Sequence, residues 1–95
     1  MRISTHPGEI LQEEFLGPLD MSANALARAL RVDAPRISDI VRGRRGISAD
    51  TALRLARYFN TTPEFWLNLQ RDYDLSKARA ESAKKIDKEI SPHAA

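Results

Sequence analysis

Cysteine is absent from this 95-residue chain, glycine occurs four times, and the aromatic set is one Trp, two Tyr and three Phe. Without cysteine the fold leans on neither disulfides nor thiolate metal sites. Only two histidines are present, His6 and His93, at opposite ends of the sequence, too few to assemble a metal cluster. No glycine-rich phosphate loop occurs, and no carboxylate pair is tied to a nearby base. The sequence therefore predicts neither an enzyme nor a cofactor. Long apolar runs are missing too: the first twenty residues lack the core of a signal peptide, and no later stretch approaches a membrane span. The expectation is a cytoplasmic protein with no membrane contact.

What is present is an ordinary globular balance, 42% hydrophobic and 29% charged, enough for one small domain with an economical core. The net charge of +2 hides an uneven distribution. Residues 1–20 carry one Arg against four acids, whereas residues 21–48 carry six Arg against two acids, a local excess of four positive charges. That excess is supplied by arginine alone and centres on RVDAPRISDIVRGRRGIS, residues 31–48. A concentrated basic patch is the electrostatic footprint of a polyanion-binding surface.

Helix signals follow one another with almost no strand pattern between them. Pro7 opens an apolar-periodic segment through Ile10, Leu11 and Phe15 that stops at Gly17-Pro18, with His6 as a helix-start residue. Ser22 caps Ala23 to Leu30. Asp33 caps a third helix reaching about Arg42, with Pro35 at its second position and Gly43 as terminator; its side chain is predicted to accept from the Arg36 N–H. Ser48 caps a fourth, carrying Ala52, Leu55, Ala56 and Phe59 at helical spacing and ending at Asn60. Thr62-Pro63-Glu64 starts a fifth through Phe65, Trp66, Leu69 and Tyr73, residues assigned to the core with a dimer interface as the alternative. From Leu75 the composition turns to Ala, Lys and Glu, which predicts a sixth helix with a thin apolar stripe, ended by Ser91-Pro92.

Two short helices joined by three residues raise the helix-turn-helix possibility. Close, steep packing needs a small residue at the crossing, and Ala27 sits midway along the first helix of the pair. Leu26, Leu30, Val32, Ile37 and Ile40 supply an inward face. The outward face of the second helix is then Pro35, Arg36, Ser38, Asp39 and Arg42, a short, polar, basic surface suited to a major groove, where Arg binds guanine bidentately.

MSANALARALRVDAPRISDIVRGRRGISADTALRLARYFNTTPEFWLNLQ resembles the Cro/repressor-type helix-turn-helix domain. More narrowly, it is similar to the HigA (VapI-like) antitoxins of type II toxin–antitoxin systems. His6-Pro7-Gly8-Glu9, the run Arg42-Gly43-x-Arg45-x-Ile47-Ser48 and Thr62-Pro63-Glu64-Phe65-Trp66-Leu67-Asn68-Leu69-Gln70 together make that resemblance specific, over roughly seventy residues from His6 to Leu75. It implies an all-α, five-helix DNA-binding core with an additional C-terminal helix. It also implies a homodimer on palindromic double-stranded operator DNA, repression of the antitoxin's own operon, and neutralisation of a HigB-like, RelE-like RNA-cleaving toxin. Relatives of the broader superfamily often have glycine where this chain has Arg31, and a left-handed residue there costs Arg about 1 kcal/mol more than Gly, which points to a reshaped turn. Many also carry a phosphate-binding glutamine where Ala23 stands, leaving Asn24 as its substitute.

On these grounds residues 1–74 are expected to form the DNA-binding domain and residues 75–95 a C-terminal helix and frayed tail. Pro35, Arg36, Ser38 and Asp39 are expected at base edges, and Asn24, Arg42, Arg44 and Arg45 at phosphates. Asp39 is expected either to accept from a cytosine amine or, the preferred reading, to pair along its helix with Arg36 or Arg42. The other readings compatible with the sequence are a stand-alone helix-turn-helix regulator and a helical protein-interaction module, the latter suggested by the acidic Glu9, Glu13 and Glu14.

Overall fold

A computed structural model describes residues 2–94 of the chain. In order along the chain it forms α1 (Pro7–Ile10), a π-helical segment (Leu11–Leu16), α2 (Ala23–Leu30), α3 (Ala34–Val41), α4 (Ala49–Phe59) and α5 (Pro63–Glu89), with no strand among the described residues. None of these helices is long and apolar enough to cross a membrane.

The start of each helix follows from its local residues. Nδ1 of His6 accepts from the Gly8 N–H at 2.9 Å, and the Ser22, Ser48 and Thr62 hydroxyls accept from Ala25, Thr51 and Phe65. These are the caps the sequence predicts. Asp33 departs from the prediction: it has the extended backbone of an N-cap, yet its side chain accepts no bond. Its main-chain carbonyl takes the Arg36 N–H instead, at 3.2 Å. With Pro35 removing one of the first-turn donors, little is left for the carboxylate to satisfy.

Leu11 and Leu16 are both fully buried. At 100° per residue, five positions apart would place them on different faces; the wider π turn, seen in the Gly17 N–H to Gln12 carbonyl bond at 2.8 Å, brings them onto one. Glu13 and Glu14 remain exposed.

Arg31 keeps the turn between α2 and α3 in its usual form instead of reshaping it. It adopts the left-handed conformation, φ 61° and ψ 42°, and its N–H bonds back to α2 while the Val32 N–H reaches the Ala27 carbonyl at 3.0 Å. Ala27 is buried where the two helices meet, with Leu26, Leu30, Ile37 and Ile40 around it. Opposite them, α1 runs so close to α3 that a Cβ added to Gly8 would sit 1.8 Å from the Ile40 carbonyl oxygen. Only glycine fits there.

Leu55, Ala52 and Ala56 of α4 complete the core with Trp66 of α5. Trp66 is fully buried, packs tilted against Phe15 with ring centroids 4.9 Å apart, and donates its indole N–H to Thr61 Oγ1 at 2.8 Å. Phe65 is exposed and Leu69 and Tyr73 half-buried, so of the four aromatic and aliphatic residues expected inside, Trp66 alone is a full core member. The separate sixth helix is also absent: α5 is one continuous helix of 27 residues, about 40 Å long at 1.5 Å per residue. No breaker lies between Tyr73 and Leu75, and the Gln70 side chain bridges the region by donating to Asp74 at 2.9 Å. What changes at Leu75 is burial, since Leu75, Ile86 and Ile90 are all exposed.

Candidate nucleic-acid interface

Helix α3 is eight residues long, and an α-helix, about 10–12 Å across with its side chains, matches the width of a B-DNA major groove. Ile37 and Ile40 anchor it with no exposed surface. Pro35 and Arg42 are exposed on its far side, and Arg36, Ser38 and Asp39 are half-buried. Beyond it, Gly43 takes a left-handed φ of 75° and closes the helix, and the exposed Arg44 and Arg45 follow. The structure thus brings Pro35, Arg36, Ser38, Asp39, Arg42, Arg44 and Arg45 onto one helix and the turn that follows it. Asn24 is exposed in the first turn of α2, on the other member of the helix pair.

The arginine-bearing turn is braced from behind. The Ile47 N–H donates to Gln70 Oε1 at 2.7 Å. Gly46 lies so near the same side chain that a Cβ would meet it at 3.0 Å. Gln70 therefore fixes the path from α3 to α4, although the sequence gives no sign of the contact.

Electrostatic pairing differs from expectation. Asp39 makes no pair with Arg36 or Arg42; its carboxylate faces Arg45 at 3.8 Å, across the turn. Arg36 instead donates through Nη1 to Asp50 Oδ2 at 2.7 Å. The same oxygen accepts from Arg54 Nε at 2.9 Å, and Arg54 Nη1 donates to the Leu30 carbonyl at the end of α2, at 2.8 Å. Hydrogen bonds from Arg54 and then Arg36 hold the Asp50 carboxyl below the usual aspartate range. Sequence reasoning passed over Asp50 and Arg54. Their i,i+4 spacing on α4 was visible, but the reach to Arg36 was not.

His6 sits at the other end of α3. Its ring lies edge-on to Tyr73 at 4.8 Å between centroids, and a Cβ added to Gly43 would come within 3.9 Å of it. Burial is the main cause holding its pKa below the ordinary 6.5; nearby Asp74 pulls it up and Lys77 pushes it down. Among the described residues, no three His, Asp or Glu side chains gather as metal ligands.

Such an arrangement can grip a polyanion, with guanidinium groups on a helix narrow enough to enter a groove and further cations beside it for backbone phosphates. Comparison with known proteins points the same way. The helix-turn-helix family matches residues 12–66. Virulence-associated protein I of Dichelobacter nodosus is 60% identical over 73 residues, covering 77% of this chain and 68% of that protein. The structure of the Pseudomonas aeruginosa antitoxin HigA with higBA promoter superposes with a TM-score of 0.90 at 57% identity, over 95% of this chain and 98% of that one. The antitoxin GraA in complex with its operator gives 0.92 at 49% identity, over 100% and 95%. By sequence and by fold, the chain belongs to the HigA-type, VapI-like branch of the Cro/repressor helix-turn-helix family.

Proposed function

We propose that this protein is a cytoplasmic, non-catalytic antitoxin that binds palindromic operator DNA as a homodimer, represses its own operon and neutralises a HigB-like, RelE-like RNA-cleaving toxin. The observation that carries the reading is the division of α3, with Ile37 and Ile40 locked into the core while Pro35 and Arg42 are exposed on its far side and the half-buried Arg36 stands at the flank. That the similar HigA and GraA structures are described with promoter or operator DNA supports it. Residues 1–74 are the DNA-reading unit, and residues 75–95 are the outer part of α5 with the tail that follows.

Arg36 is assigned to a guanine edge, with Pro35 and Ser38 beside it and Asp39 steering through Arg45. Arg42, Arg44, Arg45 and Asn24 are assigned to phosphates. A homodimer sets two copies of α3 one helical turn of DNA apart, which matches a palindrome. The exposed Glu9, Glu13 and Glu14, on the N-terminal helical segment, are the surface suited to a basic toxin, and Glu9 and Glu13 share a groove with Arg42 at the end of α3.

A mobility-shift assay on DNA from upstream of the gene, run with and without the product of the neighbouring reading frame, tests this. A retarded complex that the neighbouring protein joins supports the antitoxin. A complex that forms but never takes up that protein leaves a stand-alone regulator, and no complex at all defeats the DNA reading.

A further inference from the structure

We propose that Asp50 is a positioning residue for DNA recognition: it presents the Arg36 guanidinium to the base edge, and Arg54 holds Asp50 in place. The inference rests on the DNA-binding reading and assigns base selectivity to a residue outside the helix pair.

An arginine side chain carries four rotatable bonds, and fixing it on the DNA is a cost that preorganisation removes beforehand. Here the fixing is visible without DNA. Arg36 Nη1 is held at 2.7 Å by Asp50 Oδ2, yet the Arg36 side chain keeps 30% of its surface exposed. Tying down Nη1 leaves the Nε and Nη2 hydrogens as a two-pronged edge, the form in which guanidinium groups bind guanine O6 and N7. Asp50 is itself constrained, since Arg54 Nε donates to the same oxygen at 2.9 Å and Arg54 Nη1 is fastened to the Leu30 carbonyl. The chain of bonds therefore runs from the end of α2, through two residues of α4, to the side chain on α3.

A solvent-facing ion pair of this kind does little for stability; its consequence is orientation. The carboxylate has a second effect of opposite sign, because a negative charge near the duplex repels phosphates on any sequence. Asp50 thus disfavours binding in general and favours binding to the correct base, which together raise selectivity.

The test uses the full chain and fluorescence anisotropy on three probes: the duplex upstream of the gene, its single-base-pair variants, and an unrelated duplex of equal length. Asp50→Ala should lower the preference for the upstream duplex by about tenfold, within the range expected for one lost base contact. The loss should fall on the base pairs that Arg36→Ala also relaxes, and the double variant should discriminate no worse than Arg36→Ala alone. Affinity for the unrelated duplex should stay level or rise. Asp50→Asn keeps an oxygen for Arg36 and should retain more of the preference than Asp50→Ala; it also carries the test if the alanine variant melts early. Full retention of selectivity by Asp50→Ala overturns the proposal. So does an equal tightening on every duplex, which would mean that Asp50 only competes with DNA for Arg36. A wild-type chain that binds all duplexes alike is a different result, since it defeats the DNA reading itself.

Discussion

On the inner side of α3, Ile37 and Ile40 have no exposed surface and the Ile40 carbonyl lies against Gly8 with no room for a methyl group. At its flank Arg36 is 30% exposed and tied to α4 by one hydrogen bond, while Arg42 stands open on the outer side. One short helix and its cap therefore answer to two kinds of physics: close packing, where a displaced atom is felt throughout, and solvated charge, where a whole side chain can go with little loss of fold. Substitutions on the two sides should separate cleanly into those that unfold the protein and those that leave it folded and blind.

The largest effect is expected on the inner side. Gly8→Ala forces α1 away from α3 and should lower stability by about 3 kcal/mol, read as a reduced denaturant midpoint with an unchanged m-value. A melting curve like the wild type's would show that α1 can shift freely and that the inner face is not tightly packed.

Next comes Arg36→Ala, which should weaken operator binding by about 1–3 kcal/mol and relax the choice of base at one step. Its thermal midpoint should stay near the wild-type value, as suits a half-exposed surface residue. Arg45→Ala, on the turn beyond α3, should act more weakly and without regard to sequence. In a homodimer it removes two phosphate contacts, which should flatten the plot of log K against log salt by about two units. If Arg45→Ala altered base preference instead, the division between base-reading helix and phosphate-binding turn would fail.

The smallest effect concerns pH. Burial holds the His6 pKa below 6.5, so between the folded and unfolded values the unfolded chain binds more protons. The stability His6 contributes is complete above pH 6.5 and declines as the pH falls towards its folded value. His6→Asn retains an acceptor for the Gly8 N–H and should flatten the fall in melting temperature as the pH drops below about 6.5. An unchanged slope would place that dependence on other groups.

How much of this was legible in the sequence depends on how far each interaction reaches. Ser22, Ser48 and Thr62 cap the chain three residues ahead, and Gly43 and Asn60 end helices by their own φ, so all were readable from neighbours. The inward isoleucines and the outward Arg42 followed from helical period alone, whereas that period sets Arg36 beside Ile40, at the flank where it is found. Contacts between distant segments were not readable: Asp50 lies 14 residues from Arg36, and Gln70 lies 23 from Ile47. The π turn escaped because it exists to bring Leu11 and Leu16 onto one core, which only the assembled fold defines. At Leu75 a change in composition reads as the end of a helix, whereas it marks the point at which α5 leaves the core and continues.

The most direct measurement is the affinity of the wild-type chain for the upstream duplex across a salt series from about 50 to 200 mM, beside an unrelated duplex. For a dimer making about six to eight phosphate contacts the slope of log K against log salt should be near −5 to −7, with the upstream duplex preferred throughout. An affinity indifferent to salt would mean that the arginine side of α3 meets no duplex, and the assignment of this face to DNA would be wrong.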